Sequence, residues 1–222
     1  MILGIYGAGG LGREVYELAN VINRHNNCWD KIFFIDDGEL ITNPRNALII
    51  KFENLKNKFN LEDVEVCIAI GEPTIRKIIF DKLINRNIAI STLIHPQVDI
   101  PKSTIIGKGA IINKFTSISC DSVIGENVYI HPMACIGHDS MIGSHTIISS
   151  FVDVAGDCNV GDCAFLAINV IMKQGTSIGC DSIVGLASVV HRDIKEGVIA
   201  LGNPARPMKN NENLRVFSEN NI

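Results

Sequence analysis

A histidine followed directly by an aspartate is the pair in this sequence best suited to moving a proton. His138 and Asp139 stand in the segment Gly137-His138-Asp139-Ser140, and His145 follows in the next group of six residues. A carboxylate beside an imidazole fixes the tautomer of the ring and raises its basicity. The pair therefore predicts a general base. The alternative is that these side chains are ordinary solvent-exposed turn residues.

A second candidate site lies near the N-terminus, where glycines follow an apolar strand. Gly7, Gly9 and Gly12 have the spacing G-x-G-x-x-G between the predicted strand Met1–Tyr6 and a segment with helical spacing. Such glycines allow a tight turn and let a phosphate approach the helix N-terminus. The pair Asp36-Asp37 ends the next predicted strand, a position suited to a ribose or base contact. The pattern predicts a nucleotide site, unless the glycines serve only close packing.

The element that must position the histidines is a repeat of six residues in the centre of the chain. Every sixth residue from Ile94 to Val190 is apolar, and small or β-branched residues recur four positions further on. This period fits neither an α-helix nor a hairpin array, and it is the signature of a parallel β-helix. We predict that the apolar column, including Ile148 and Val160, fills the axis and that His138 faces outward. A β-sandwich is disfavoured because its turn spacings vary.

The chain divides into two predicted domains. Residues 1–90 form a small α/β unit of Rossmann type, with strands near 64–70 and 88–94 and a helix near 75–86. This is only one mononucleotide-binding half, so a complete NAD-binding domain is not expected. Residues 91–222 hold the β-helix and end in an Asn-rich tail, predicted to be frayed or a short helix.

Composition argues against several classes of function. The chain has 222 residues, 46% of them hydrophobic, and a formal net charge of −4, which gives no electrostatic basis for binding nucleic acid. No apolar run reaches the length of a membrane span and no signal sequence is recognisable, so we expect no membrane association and a cytoplasmic location. The seven cysteines include no C-x-x-C pair, so neither a disulfide framework nor a zinc framework is predicted.

Two other functions remain open at this point. His95, His131 and His138 would supply three imidazoles to zinc in a lyase like the γ-class carbonic anhydrases, although this leaves Asp139 and the glycine-rich domain without a role. A scaffold without catalysis is the other. Cys120 and Cys135 have no adjacent base in the sequence, which makes them poor candidates for a nucleophile.

Five segments of the sequence occur in an order that resembles a known family. They are Gly7–Arg13, Phe34–Asp37, Ile94–Pro96, Gly137–His145 and Gly202–Arg206. The order is similar to that of the sialic-acid O-acetyltransferase family of hexapeptide-repeat sugar acyltransferases, which includes bacterial N-acetyltransferases of nucleotide-linked 4-amino-6-deoxy sugars. The resemblance covers Met1 to about Lys209. It implies a left-handed β-helix, acetyl-CoA as the acyl donor, a nucleotide-sugar acceptor and no metal.

The resemblance also implies roles for individual residues. His138 would deprotonate the acceptor amine or hydroxyl, with Asp139 raising its basicity. Many relatives carry His where this chain has Leu11, and Leu cannot donate or accept a hydrogen bond. The coenzyme A contacts would be His145 near the thioester, Gly156, Ala167 and Ala187 along a groove, and Arg206 at a phosphate. The nucleotide sugar would lie against Gly9, Gly10, Leu11, Asp36 and Asp37.

Outward positions of the repeat predict an oligomer. Phe115, Met133, Met141 and Phe151 fall at such positions and would together form apolar patches larger than monomers usually expose. Closed cyclic symmetry would bury them. The resemblance implies a homotrimer with active sites between neighbouring β-helices.

Overall fold

A parallel sheet with flanking helices forms the N-terminal domain in the computed structural model, which describes residues 1–38 and 44–217. The strand order is β3-β2-β1-β4-β5. The elements are β1 (Ile2–Tyr6), α1 (Gly10–Asn26), β2 (Lys31–Ile35), β3 (Ile49–Ile50), α2 (Leu55–Lys58), β4 (Val64–Ile68), α3 (Pro73–Ile84) and β5 (Ala89–Ile90).

Two of the glycines in the segment that joins β1 to the first turn of α1 are required by the backbone geometry and packing. Gly7 has a φ of +106°, which a residue with a side chain rarely adopts. A Cβ on Gly12 would lie 2.1 Å from the carbonyl oxygen of Gly7. Gly9 and Gly10 are exposed and have no such constraint, since no atom lies within 4 Å of a Cβ placed on Gly9. The packing function therefore belongs to one pair of glycines and leaves the other pair free for a ligand.

Residues 91–210 form a β-helix with three faces, in which parallel strands of successive coils lie 18 residues apart over most of its length, as Val123 pairs with Met141. Its last pairing, between Val198–Leu201 and Arg206–Asn210, is antiparallel. Face A contains β6 (Leu93–Ile94), β8 (Ile111–Ile112), β11 (Tyr129–Ile130), β14 (Ile147–Ile148), β17 (Phe165–Leu166), β20 (Ile183–Val184), β22 (Val198–Leu201) and β23 (Arg206–Asn210). Face B contains β9 (Ser117–Ile118), β12 (Cys135–Ile136), β15 (Asp153–Val154), β18 (Ile171–Met172) and β21 (Val189–Val190). Face C contains β7 (Ile105–Ile106), β10 (Val123–Ile124), β13 (Met141–Ile142), β16 (Asn159–Val160) and β19 (Ser177–Ile178).

The axis of the β-helix is filled as the repeat predicts. Ile148 is 0% exposed and Val160 is 3% exposed, and both belong to one continuous core with the other inward residues of the column. Small residues such as Ala164 and Ser182 are buried near the corners, where space is short. The predicted fold class is confirmed, including the left-handed sense of the β-helix.

The predicted strand at 88–94 is wrong, because two short strands of different sheets occupy this stretch. Ser91 donates its backbone N–H to Val66 in the N-terminal sheet, whereas Leu93 donates to Ala110 in the β-helix. The chain thus passes from one domain to the other between β5 and β6, which only two residues separate. The helix predicted at 75–86 runs from 73 to 84.

A buried arginine holds the two domains together. Arg76 on α3 is 0% exposed. Its guanidinium donates to the carbonyls of Ile68 and Ile70 in the N-terminal domain, and to the backbone carbonyl and side-chain oxygen of Asn127 in the β-helix. Burial lowers the pKa of Arg76 to about 10. Each N–H group of the buried guanidinium has an acceptor, and these acceptors come from both domains. The hydrogen bonds of Arg76 therefore fix the orientation of one domain relative to the other.

The tail is neither frayed nor helical where the structure describes it. Residues 211–217 leave the last coil of the β-helix and cross to the N-terminal domain, where the hydroxyl of Thr74 donates to the carbonyl of Leu214 at 2.8 Å. Among the described residues, no helix has the length and apolar character needed to cross a membrane.

Candidate functional site

His138 and Asp139 form an exposed, hydrogen-bonded pair at the corner between faces B and C. The Nδ1 atom of His138 lies 2.7 Å from Oδ2 of Asp139, and the two side chains are 53% and 60% exposed. With Nδ1–H donating to the carboxylate, Nε2 keeps its lone pair and is free to accept a proton. Asp139 has a φ of 58°, a backbone conformation that Asp tolerates better than most residues. The aspartate therefore suits both the turn and the orientation of the imidazole.

The imidazole of His138 rests against a glycine of the next coil. A Cβ on Gly156 would lie 2.6 Å from Nε2 and 2.7 Å from Cε1 of His138. Gly156 is buried, and the backbone N–H of Asp157 donates to the carbonyl of His138 at 2.8 Å. The absence of a side chain at residue 156 is what lets the ring occupy this position.

Gly156→Ala is expected to displace the ring of His138 while leaving the fold intact. The clash falls on the end of a flexible side chain, so the ring can rotate away, and a displacement of about 1 Å from the reacting geometry can cost about 10²-fold in rate. We expect kcat to fall between about 10- and 100-fold with the melting temperature unchanged. Wild-type kcat in a variant shown to contain alanine would contradict the placement of the ring.

A large cleft lies on face A, between the β-helix and the N-terminal domain. Its volume is about 1190 Å³, somewhat above the range of about 300–1,000 Å³ that is typical of small-molecule sites. The wall from the N-terminal domain is Gly10, Leu11, Glu14 and Gly71, and the end of the cleft is formed by Leu201, Met208, Lys209, Val216 and Phe217. The wall from the β-helix is mainly apolar and includes Ile147, Phe165, Ile168, Ile183, Leu186 and Ile199, with His131, Ser149, Ser150, Ala167 and Gly185 beside them.

The glycine loop opens into this cleft. Helix α1 begins at Gly10, its N-cap Gly9 supplies no side-chain hydrogen bond, and its first turn contains no acidic residue. The first backbone N–H groups of the helix therefore remain available to an anion. Leu11 lines the same cleft and is half-buried. Of the predicted nucleotide-sugar residues, Gly10 and Leu11 line this wall, and Gly9 directly precedes them as the N-cap of α1.

Asp36 and Asp37 are engaged in hydrogen bonds within the N-terminal domain. Asp36 accepts from the backbone N–H groups of Ala8 and Gly38, and Asp37 accepts from the N–H of Phe52 and the ammonium of Lys82. Asp37 also accepts from the hydroxyl of Tyr6. Burial raises the carboxyl pKa of Asp37, but these hydrogen bonds outweigh it and leave the pKa below its usual value. Neither residue lines the cleft, so the pair stabilises the loops around β1 and β2.

His145 lies at the corner between faces C and A, beneath helix α3. It is 8% exposed, its Nδ1 is 3.0 Å from Nδ2 of Asn127, and its ring meets that of Phe80 edge-on at 5.2 Å. Burial, reinforced by the charge of Arg76, lowers its pKa. Helix α3 covers His145 in this chain, and the contact with a thioester expected for it stays a prediction. Register alone does not reveal that a helix docks on this corner.

The remaining predicted coenzyme residues are spread over different parts of the β-helix. Gly156 is at the corner between faces B and C, whereas Ala167 and Ala187 are at the corner between faces A and B. Arg206 is exposed at the start of β23, where it pairs with Leu201 of β22. Within one chain these residues do not form a common groove.

The three histidines considered as zinc ligands are also apart. His95 and His131 occupy equivalent positions two coils from each other, with Asn113 between them, a separation of about 10 Å from the usual strand spacing. His138 is at another corner. Over residues 1–38 and 44–217, no group of three or more His, Cys, Asp or Glu side chains is placed to hold a metal ion.

His131 is a cleft residue that the sequence did not single out for acceptor binding. It lines the cleft, and burial followed by the charge of Arg76 lowers its pKa to about 4. It is therefore neutral near pH 7 and offers a hydrogen bond without a charge. His131, Ser149, Ala167 and Gly185 occupy equivalent positions in four successive coils. Their side chains become smaller in that order, so the cleft becomes deeper along the axis of the β-helix.

The catalytic candidate and the cleft are on opposite sides of one β-helix. The chain runs from face A through face B to face C in every coil, as in β11, β12 and β13. The corner that carries His138 joins faces B and C, and the cleft is on face A and its corner with face B. His138 of a given chain therefore does not reach the cleft of that chain.

Comparison with known proteins identifies both domains. Residues 3–83 match the family described as the PglD N-terminal domain, and residues 121–156 match the bacterial transferase hexapeptide family. The curated protein named GDP-perosamine N-acetyltransferase from Escherichia coli O157:H7 is 28% identical over 220 residues, which cover 94% of this chain and 96% of that protein.

Solved structures agree over nearly the whole chain. The acetyltransferase domain of PglB from Neisseria gonorrhoeae FA1090 superimposes with a TM-score of 0.87 at 26% identity, covering 93% of this chain and 99% of that one. PerB from Caulobacter crescentus, in complex with CoA and GDP-perosamine, gives a TM-score of 0.83 at 25% identity, covering 94% of this chain and 98% of that one. The chain is therefore homologous over nearly its whole length to hexapeptide-repeat sugar acyltransferases that carry a PglD-type N-terminal domain, and it is an acyltransferase.

Proposed function

We propose that the protein transfers the acetyl group of acetyl-CoA to the amino group of a nucleotide-linked 4-amino-6-deoxy sugar. The observation that carries this function is the cleft on face A, which joins the glycine loop of a nucleotide-binding half to the wall of a hexapeptide β-helix. The relatives support it, since one is named GDP-perosamine N-acetyltransferase and PerB was solved with CoA and GDP-perosamine. A structure of the PglB domain contains acetyl coenzyme A.

The cleft offers suitable partners for each part of such an acceptor. The uncapped start of α1 at Gly10 and Leu11 suits the diphosphate. The apolar side chains of Ile147 and Phe165 suit the methyl group of a deoxy sugar, because a methyl group makes no hydrogen bonds and packs well against apolar side chains. His131, Ser149 and Glu14 are polar groups within the same cleft that suit the hydroxyls of the acceptor.

The proposed reaction is direct transfer with His138 as the general base. The neutral amine attacks the thioester carbonyl, the C–N bond forms, and Nε2 of His138 takes the proton of the amine. The tetrahedral centre then collapses, the C–S bond breaks, and the thiolate of coenzyme A takes the proton from Nε2 of the His138 imidazolium and leaves as the thiol, which returns His138 to its neutral form. Asp139 holds the tautomer and stabilises the imidazolium that forms.

The acceptor cleft and His138 meet only if two copies of the chain combine. Face B borders both the corner with the cleft and the corner with His138. If three copies turn their B faces toward a common axis, the His138 corner of each copy lies against the cleft corner of the next, which is a heterologous contact that closes. This homotrimer also brings Gly156 of one copy near Ala167 and Ala187 of another, and Arg206 near the same groove.

The corner between faces A and B has the surface expected of such an interface. Equivalent positions of three successive coils hold Phe115, Met133 and Phe151, which are 57%, 46% and 54% exposed and have φ values of 62°, 65° and 60°. Large apolar residues are disfavoured in this left-handed conformation, where Asn, Asp and Gly are usual. Burial of the three side chains against a partner explains why they stand at a turn that costs conformational energy. Met141 is 54% exposed on face C, outside this column.

The reaction is tested by incubating the protein with acetyl-CoA and a panel of nucleotide-linked 4-amino-6-deoxy sugars that includes GDP-perosamine. We expect one member to gain the mass of a single acetyl group in proportion to the free thiol released. The matched 4-hydroxy sugars serve as the control for transfer to nitrogen. Thiol release without acetylation of any amino sugar would contradict the proposed acceptor class.

A further inference from the structure

The C-terminal segment 211–217 forms part of the wall of the cleft. No motif in the sequence predicts this contribution. Val216 and Phe217 line the cleft together with Gly10 and Leu11. The ring of Phe217 meets that of Phe165 edge-on, with centroids 5.7 Å apart. A Cβ on Gly71 would lie 3.6 Å from Cε2 of Phe217 and 3.9 Å from Cδ2 of Leu11. The phenyl ring therefore stands in the cleft beside Gly71 and Leu11, next to the start of α1.

The segment is attached at both ends. At its start, the side chain of Asn211 donates to the carbonyl of Asp181 at 2.8 Å, and its backbone N–H donates to Gly197 at 2.7 Å. At its end, the carboxylate of Glu72 accepts the backbone N–H groups of Val216 at 2.9 Å and Phe217 at 3.2 Å. We call residues 211–217 the strap, because it links the last coil of the β-helix to the N-terminal domain.

The carboxylate of Glu72 forms its hydrogen bonds with the strap and not with its own helix. It is 8% exposed at the N-cap of α3, yet its side chain makes no capping hydrogen bond to that helix. The hydrogen bonds of both carboxylate oxygens go to the strap. A buried carboxylate without donors is costly, so the strap satisfies Glu72 and Glu72 orients the strap.

The strap is a wall of the cleft and does not plug it. With the strap in place the cleft still has a volume of about 1190 Å³, more than most small-molecule sites require. Phe217 remains 68% exposed, so a face of its ring is available for contact beyond the one with Phe165.

We propose that Phe217 contacts the acceptor and that Glu72 is a positioning residue that holds Phe217 against the cleft. This proposal rests on the proposed function, since it assigns the acceptor to the same cleft. A wall that binds substrate and transition state alike changes KM and leaves kcat unchanged. Loss of one aromatic contact corresponds to an affinity change of up to about 10-fold.

The test compares Phe217→Ala, Glu72→Ala, the double variant and a chain that ends at Asn211, with Glu212→Gln as a control on an exposed strap residue. We expect each of the first four to raise the acceptor KM by about 2- to 10-fold, with kcat and the KM of acetyl-CoA unchanged. Because Glu72 acts through Phe217, the double variant should be no worse than either single one. Hydrogen exchange should show protected amides at Val216 and Phe217 in the wild type and unprotected ones in Glu72→Ala.

The outcomes separate this proposal from the function on which it rests. A wild-type acceptor KM in both Phe217→Ala and the shortened chain would overturn the strap proposal alone. Unprotected amides at Val216 and Phe217 in the wild type would overturn it as well. A wild-type enzyme that acetylates no member of the amino-sugar panel would overturn the proposed function, and the role of Phe217 in acceptor binding with it.

Discussion

His138→Ala is expected to lower kcat by about 10² or more, since general-base assistance contributes about 10²–10⁴ in rate. The imidazole is exposed, its tautomer is set by Asp139, and Nε2 faces away from the carboxylate. Coenzyme A should still bind, because the substitution removes a proton acceptor and leaves the β-helix backbone unchanged. Steady-state kinetics with calorimetry of coenzyme A binding measure both quantities.

Two further variants test whether the effect belongs to the His138–Asp139 pair. Asp139→Asn keeps a residue that tolerates the left-handed turn but removes the charge, so an intermediate loss of kcat is expected. His25→Ala changes an exposed histidine at the end of α1 and should have wild-type kinetics. Unchanged turnover in His138→Ala would refute the assignment of the base.

Ile148→Asp is expected to prevent folding, and Ile148→Ala to reduce the free energy of unfolding by about 2–5 kcal/mol. Ile148 is 0% exposed on the axis of the β-helix, where a carboxylate has neither water nor a partner. The smaller change removes methyl groups and leaves a cavity among the inward residues of neighbouring coils. Urea unfolding followed by circular dichroism gives both results.

An outward isoleucine provides the matched control. Ile105 precedes an inward residue on face C and is 63% exposed, so Ile105→Asp should fold with a cooperative melt close to that of the wild type. A soluble and cooperatively melting Ile148→Asp protein would show that the inward and outward positions of the repeat had been exchanged.

Much of the fold follows from the sequence because the β-helix repeats one local rule. An inward residue at every sixth position fixes the register of each strand, so burial of Ile148 and Val160 could be predicted without knowing any distant contact. The strap obeys no such rule. Its conformation depends on Glu72 and Thr74, which are more than a hundred residues away from Val216 and Leu214, and a polar, Asn-rich composition carries no sign of them.

The site was predictable to the extent that its residues act locally. His138 and Asp139 are adjacent in sequence, and the repeat places them outward on a corner, as observed. Asp36 and Asp37 matched a nucleotide-binding pattern, but partners from elsewhere in the domain, such as Phe52 and Lys82, occupy their oxygens. His145 also has an outward position in the repeat, and only the docking of α3 buries it.

Catalysis at a site shared between copies of the chain is tested directly by mixing two inactive chains. One chain carries His138→Ala. The other carries Gly10→Asp, which places a negative charge where the acceptor diphosphate should bind but is compatible with the start of a helix. If His138 of one copy serves the cleft of the next, about a quarter of the interfaces in co-expressed trimers hold both intact halves, and about that share of wild-type activity should return. Activity that stays at the level of the separate variants, in oligomers shown to contain both chains, would contradict the shared site.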